Sequence, residues 1–354
     1  MIELDIIRTV EAREGLAGLP DQSVDCVLTS PPYWACRDYG VAPAQWEDGS
    51  SSALGLEPDF EKYLDHLIEI FNGIKRVLKD EGTLWVNLGD VYASGTRARW
   101  RGPLSHHLPN TATGTLDTAN PPEKRKRAHG LEFHRFPDKT LCMIPERFAL
   151  RMLQKGWILR NRIAWVKPNF LPASVGDRFA CSWEYLFLFS KSERYFFDID
   201  AVRVPHSAPE RAGAGWESRT HSPRPVVAGT RLPPRPGEPD TLHRPGKNPG
   251  DCWSIPTRGT QFPHPAIFPE ALCERPISAG CPVGGIVLDP FAGSGTACVV
   301  AKRLGRRYLG FEVNPIFADY ARQRLQNTPT AAPIPAPPSS PSDVPQTTSD
   351  REAA

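Results

Sequence analysis

The sequence predicts an α/β protein built on a doubly wound sheet. Three observations carry that prediction: apolar runs of strand length alternate with amphipathic runs of helix length, the strands are apolar enough to be covered on both faces, and a glycine turn joins a strand to a helix near the C-terminal end. At 354 residues the chain can bury the large core such a sheet needs, either as one enzyme-sized domain with insertions or as two domains.

The elements follow in order. "SVDCVLTS", residues 23–30, is an apolar run of strand length that stops at two prolines. In "FEKYLDHLIEIFNGIKRVLKD", Phe60, Leu64, Leu67, Phe71, Ile74 and Leu78 recur near a 3.6 period, which predicts a helix packed on the sheet. After Gly82, "TLWVNLGDVY" reads as a strand and "IPERFALRMLQKGW" as a helix; "ILRNRIAWVK" and "WEYLFLFSK" read as strands buried on both faces. Late in the chain "GGIVLDPFAGSGT" passes from strand into the glycine turn, "ACVVAKRLG" is a helix, "RYLGFEV" a strand and "NPIFADYARQRLQ" a last helix.

Composition excludes several classes of protein. Forty-two basic and 40 acidic residues leave a formal net charge of +2, so overall charge names no partner and only its distribution is informative. The eight cysteines include no C-x-x-C pair and no partnering histidine spacing, which argues against a metal site and for reduced intracellular thiols. No apolar run approaches the roughly 18 residues of a membrane span, so a cytoplasmic protein with no membrane partner is expected. Proline, at 38 residues, is concentrated in 203–282 and after Asn327, and the tail from 329 to 354 has too little apolar mass to order itself. Two stretches are basic: 97–139 holds nine Lys or Arg against four acids, and 201–250 holds eight against four. Either is suited to a phosphate backbone, or is simply a solvated loop.

The glycine turn carries more chemistry. Gly293 and Gly295 lie between strand and helix, where missing side chains let a ligand approach the backbone. A dinucleotide fingerprint would place a third glycine where Cys298 stands, which weakens a nicotinamide reading. Glu312 ends the next strand about 20 residues on, the spacing at which a carboxylate accepts hydrogen bonds from ribose hydroxyls, so a nucleoside-containing ligand is expected.

"DPFAGSGT" followed by "GFEVNP" resembles the S-adenosylmethionine site of the amino-methylating DNA methyltransferases. By position, the resemblance implies that Asp289, Phe291, Gly293, Gly295 and Thr296 line the methionine and ribose side, with Glu312 on the ribose. Upstream, "HPAIFPEAL" resembles the segment that caps the methionine moiety, which adds His264, Ala266 and Phe268.

In the same family a strand ends in Asp, Asn or Ser, then Pro-Pro, then an aromatic; "TSPPYW" supplies Ser30, Pro31, Pro32 and Tyr33. The residue types suit the chemistry. An exocyclic base amine is a poor nucleophile because its lone pair is delocalised into the ring. A Ser30 hydroxyl and a carbonyl of the proline pair can accept its two hydrogens and localise that pair. Proline fixes φ and restrains its predecessor, so the carbonyl direction is set beforehand. Tyr33 offers a ring on which a flipped base can stack, while Trp34 is expected to pack in the core. No covalent nucleophile is needed, and no Pro-Cys pair of the carbon-methylating type is present.

The "TSPPYW" strand precedes the cofactor strand, the circularly permuted order of one class of these DNA enzymes. The resemblance therefore implies a Rossmann-like, S-adenosylmethionine-dependent methyltransferase fold with a mixed sheet, permuted motif order and DNA-recognition insertions. Residues 1–200 would form the catalytic half, with the basic insert 97–139. Residues 201–261 would be the target-recognition region, 262–328 the cofactor half and 329–354 a disordered tail. Lys167, Pro168 and Asn169 would edge the base pocket. The expected function is methyl transfer to double-stranded DNA, with a cognate restriction endonuclease as partner. Ser30 favours N4 of cytosine, with N6 of adenine as the alternative; a catalytically silent DNA-binding module is the reading from another class.

Overall fold

The computed structural model describes residues 2–93, 136–170, 172–173, 175–205, 246–257 and 268–330. In chain order the elements are β1 (Ile6–Thr9), α1 (Ala12–Ala17), β2 (Val24–Thr29), β3 (Ala44–Gln45), β4 (Ser51–Ser52), α2 (Phe60–Val77), β5 (Leu78–Leu88) and α3 (Ile144–Gln154). Then come β6 (Ile158–Val166), β7 (Trp183–Ser190), β8 (Cys252–Ser254), α4 (Glu270–Gly280), β9 (Ile286–Asp289), α5 (Thr296–Arg303), β10 (Arg307–Glu312) and α6 (Pro315–Gln326). Of the basic insert 97–139 only 136–139 is described, of the recognition region only 201–205 and 246–257, and of the tail only 329–330; the rest of those segments lies outside the described residues.

Among the described residues eight strands form one sheet in the order β1-β10-β9-β2-β5-β7-β6-β8, and β3 pairs with β4 in a separate hairpin. From β1 to β5 all neighbours are parallel; β7 runs antiparallel to both β5 and β6, which makes the sheet mixed as expected. Period-two alternation sends side chains to two separate cores. Val27, Leu84, Val86, Phe187, Phe189 and Leu288 join a cluster with Leu64, Leu67 and Phe71 of α2 and Phe148 of α3. Their neighbours Cys26, Leu28, Trp85, Leu186, Leu188 and Val287 join a second with Ile277 of α4, Val300 of α5 and Leu325 of α6. Helices thus cover both faces, and this double covering is why these strands read as continuous apolar runs.

One strand departs from that reading. The first half of β6 exposes Arg160, Asn161 and Arg162, because β8 pairs only with Ala164, Trp165 and Val166 and, among the described residues, no strand lies along the rest of that edge of β6. Charged residues there discourage edge pairing with another chain.

The segment between β2 and α2 is held down by buried polar groups. Glu57 is fully buried; one oxygen accepts from the Gly55 N–H at 2.8 Å and the other lies 3.0 Å from His66 Nδ1. Trp46 stacks on the His66 ring with centroids 4.0 Å apart, and His66 Nε2 lies 3.2 Å from Ser50 Oγ. The Trp34 indole N–H donates to the Glu57 carbonyl at 3.0 Å, and Trp34 is buried as expected. Asp59 then caps α2, accepting from the Lys62 N–H at 3.0 Å.

Glu57→Ala leaves the buried His66 ring and the Gly55 N–H without this partner, so a loss of about 1–3 kcal/mol is expected in urea denaturation, the cost of leaving a buried polar group unsatisfied.

Candidate active site

The sheet order places a switch point between β2 and β9. From β2 the order continues to β5 on one side, and from β9 to β10 on the other, so the crevice at their carboxyl ends is the ligand position of an open α/β sheet. Ser30 follows β2, and Asp289 closes β9.

The two ends are tied together. Thr29 Oγ1 donates to Asp289 Oδ1 at 2.7 Å, with both residues buried. The Phe291 N–H donates to the same oxygen at 3.1 Å. Asp289 Oδ2 is buried and has no partner among the described residues. Burial pushes the Asp289 carboxyl up to about 7, against the lowering effect of the Thr29 and Phe291 hydrogen bonds, and Glu312 adds to the rise.

The glycine turn is organised around Glu312. Its Oε2 accepts from the Gly293 N–H and its Oε1 from the Asn314 N–H, both at 2.8 Å. Burial raises the Glu312 carboxyl, and those two hydrogen bonds oppose the rise. Gly295 sits at φ +75°, and a Cβ there would come 2.9 Å from that of Ala321, so glycine serves both the left-handed backbone and the approach of α6. Thr296 is buried at the start of α5, where its hydroxyl accepts from Arg324 Nη1 at 3.0 Å and lies 3.2 Å from Ser294 Oγ. Its side chain is thus engaged with α6. Phe268 packs against the second core cluster near the start of α4; His264 and Ala266 lie outside the described residues.

On the other side of the crevice the Pro-Pro-Tyr run is braced from α2, β5 and β7. The Pro32 carbonyl accepts from the Tyr63 hydroxyl of α2 at 2.8 Å. Tyr33 Oη donates to Glu184 Oε2 at 3.0 Å and lies 3.1 Å from Asn87 Oδ1 and 3.5 Å from Ser30 Oγ. Asn87 Nδ2 in turn donates to the Tyr185 carbonyl at 2.9 Å and to Glu184 Oε2 at 3.3 Å. Lys167 ion-pairs with the other Glu184 oxygen, which brings the expected Lys167 turn to this site. Burial pushes the Tyr33 phenol well up, and the Glu184 charge adds to it. Gly89 permits this packing, since a Cβ there would stand 2.5 Å from the Tyr33 ring.

The segment after Tyr33 bridges the two sides. The Asn314 amide reaches the Tyr39 carbonyl at 3.5 Å, and the Cys36 thiol is pushed up to about 11 by burial, with Glu184 and Asp90 contributing and Arg37 opposing.

Sequence reasoning missed Thr29 as a joint, and also Tyr63, Asn87 and Glu184. Asn87 and Glu184 left a trace: each is a polar residue in an otherwise apolar strand, "LWVNL" and "SWEYLFLF". Tyr63 left none, because a tyrosine at a core-facing helix position looks like packing.

A glycine turn and a proline-terminated strand facing one crevice of a mixed, doubly wound sheet make this an α/β methyltransferase fold. Two solved structures share it. The PvuII DNA methyltransferase (cytosine-N4-specific) is 18% identical with a TM-score of 0.56, the match covering 90% of this chain and 85% of that one. A putative DNA modification methylase of Thermus thermophilus, solved with S-adenosyl-L-methionine, is 25% identical with a TM-score of 0.52 over 91% of this chain and 93% of that one.

Other relatives share more of the sequence. The Type II methyltransferase M.Cfr9I of Citrobacter freundii is 37% identical over 90% of this chain and 87% of its own length. M.SmaI of Serratia marcescens is 35% identical over 89% and 88% respectively. The family model N6_N4_Mtase, described as DNA methylase, matches residues 24–323. The chain belongs to that family and is an S-adenosylmethionine-dependent DNA methyltransferase.

Thr29→Val removes the donor to a buried carboxylate at nearly constant volume, so a destabilisation of about 1–3 kcal/mol is expected in urea denaturation. That hydrogen bond favours the ionised form of Asp289. The loss should therefore be larger above pH 7 than at pH 5.

Proposed function

We propose that this enzyme transfers a methyl group from S-adenosylmethionine to the exocyclic N4 amine of a flipped-out cytosine in double-stranded DNA, with N6 of adenine as the alternative target. The observation that carries the reading is the convergence of Ser30 and Asp289 at one crevice, fixed by the Thr29–Asp289 hydrogen bond. It sets the residues suited to a base amine beside those suited to a sulfonium cofactor. The choice of cytosine rests on Ser30, where adenine enzymes more often carry Asp.

On the cofactor side, Asp289 Oδ2 lacks a donor among the described residues, and the cofactor's ammonium group is one. Asp289, Phe291, Gly293, Gly295 and Thr296 line the methionine and ribose side in this reading, with Glu312 on the ribose and His264, Ala266 and Phe268 capping the methionine moiety. For Thr296 the geometry favours a role through the backbone, because its hydroxyl is committed to Arg324. Bound there, the cofactor supplies a methyl group already activated by its positive sulfur.

On the base side, Ser30 Oγ and a carbonyl of Pro31 or Pro32 accept the two amine hydrogens and so localise the lone pair. Tyr63 holds the Pro32 carbonyl, so the geometry exists before substrate arrives. Tyr33 supplies the stacking ring. We assign 1–200 and 262–328 to the two halves of the methyltransferase domain and 201–261 to target recognition. A cytoplasmic restriction–modification role, with a cognate endonuclease, suits the Type II designation of M.Cfr9I and M.SmaI.

Incubating the enzyme with labelled cofactor and mixed-sequence DNA, then analysing nucleosides, should yield N4-methylcytosine. N6-methyladenine would shift the reading to the alternative, and label-free DNA that still binds the protein would overturn it. Ser30→Ala should lower the single-turnover rate about 10²-fold or more while cofactor affinity stays within about twofold.

Cofactor affinity should also rise with pH through about 7, where ligand-free Asp289 ionises, because the ionised carboxylate is the better partner for an ammonium group. In Asp289→Asn, calorimetric titration should show weaker binding without that dependence.

A further inference from the structure

Methyl transfer leaves the amine with a proton it must lose, and the cofactor-side carboxylates are poorly placed to take it. Glu312 is held by two backbone N–H groups, and Asp289 belongs to the cofactor side of the crevice. Asp90, near the base side, is spent on capping: it accepts from the Val91, Met143 and Ile144 N–H groups at 2.8, 2.9 and 3.1 Å, at the start of α3.

Glu184 is differently placed. One of its oxygens accepts from Tyr33 Oη at 3.0 Å, and Ser30 Oγ stands 3.5 Å from that same hydroxyl. Its other oxygen pairs with Lys167, and its side chain is 22% exposed, so the residue that accepts from Tyr33 also touches water. A ring used only for stacking needs no hydroxyl, and burying one is costly unless it is hydrogen-bonded. Here the hydroxyl has two acceptors: Glu184, which can take its proton, and Asn87 Oδ1 at 3.1 Å, which can hold the hydroxyl but cannot keep a proton.

We infer that Ser30, Tyr33 and Glu184 form a proton relay that carries the amine proton out of the site, with Glu184 as its terminal acceptor. The inference rests on the proposed assignment of Ser30 to the base amine. The nitrogen lone pair forms the N–CH₃ bond while the electron pair of the broken C–S bond stays on sulfur, and the nitrogen becomes cationic. Its N–H pair then returns to nitrogen as the proton passes to Ser30 Oγ. Ser30 gives its own proton to Tyr33 Oη, Tyr33 gives its proton to Glu184 Oε2, and water receives it from there. The 3.5 Å step is the loosest link and tightens when the amine engages Ser30, as catalytic hydrogen bonds do on substrate binding. Lys167, paired with the other Glu184 oxygen, holds the Glu184 side chain in place between turnovers.

Glu184→Gln keeps the shape and removes the acceptor; Tyr33→Phe keeps the ring and removes the middle link. Each should lower the single-turnover rate at saturating cofactor by about 10²-fold, the usual scale of acid–base assistance, with DNA and cofactor Kd within about twofold. The double variant should be no slower than either single one by more than about twofold, because the two act in series. In the ligand-free protein, the infrared C–O band lost in Tyr33→Phe should shift in Glu184→Gln.

Wild-type rates in both variants, an unshifted band, additive losses, or weaker DNA binding with an intact single-turnover rate would each overturn the relay. If Glu184→Gln does not fold, Tyr33→Phe carries the rate test alone. Absence of any methyl transfer by the wild type would instead overturn the proposed function. A product at adenine N6 leaves the relay standing, since that amine must lose the same proton.

Discussion

A hydroxyl and a carboxylate 260 residues apart in the chain meet at 2.7 Å where β2 and β9 lie side by side. Most of the site follows from that contact. Both groups are buried, and a buried carboxylate is tolerated only when its lone pairs find donors. Thr29 and the Phe291 N–H satisfy one oxygen. The other has no donor among the described residues. The same pairing of strands sets Ser30, one residue beyond Thr29, against the glycine turn that begins after Asp289, so the two runs are aligned by sheet register rather than by loop flexibility.

Around this joint the rigid parts are polar and buried. Tyr63 fixes the Pro32 carbonyl, Glu312 ties the glycine turn to the end of β10, and the Glu57–His66 pair holds the loop that follows the tyrosine. In each case one partner lies on a regular element and the other on a turn or loop. This is how an active-site turn acquires the precision that its own backbone cannot supply. The Tyr33, Asn87 and Glu184 network differs from these in reaching solvent through Glu184 and Lys167, and a path to water is what a proton leaving the site requires.

The fold was largely legible in the sequence because its period is local. Runs such as "SVDCVLTS" and "WEYLFLFSK" are apolar at successive positions, and only a strand covered on both faces asks for that. Where coverage fails, along Arg160 to Arg162, the sequence turns polar, yet the apolar remainder of the run makes the whole strand look buried. The short edge strands β1 and β8 escape notice, since four and three residues carry too little pattern to separate them from loop.

The candidate site divides in the same way. By itself the sequence determined the two runs that meet at the crevice, "SPPY" and "DPFAGSGT", because their prolines and glycines fix backbone geometry within a few residues. It also determined the order of those two motifs along the chain. Only the tertiary structure decided which side chains complete them. Thr29, Tyr63, Asn87 and Glu184 matter through partners 31 to 260 residues away, and a hydrogen bond across that separation leaves no periodicity to read. It exists because the sheet sets β2 between β9 and β5, and β7 beside β5, so that residues remote in the chain line one crevice.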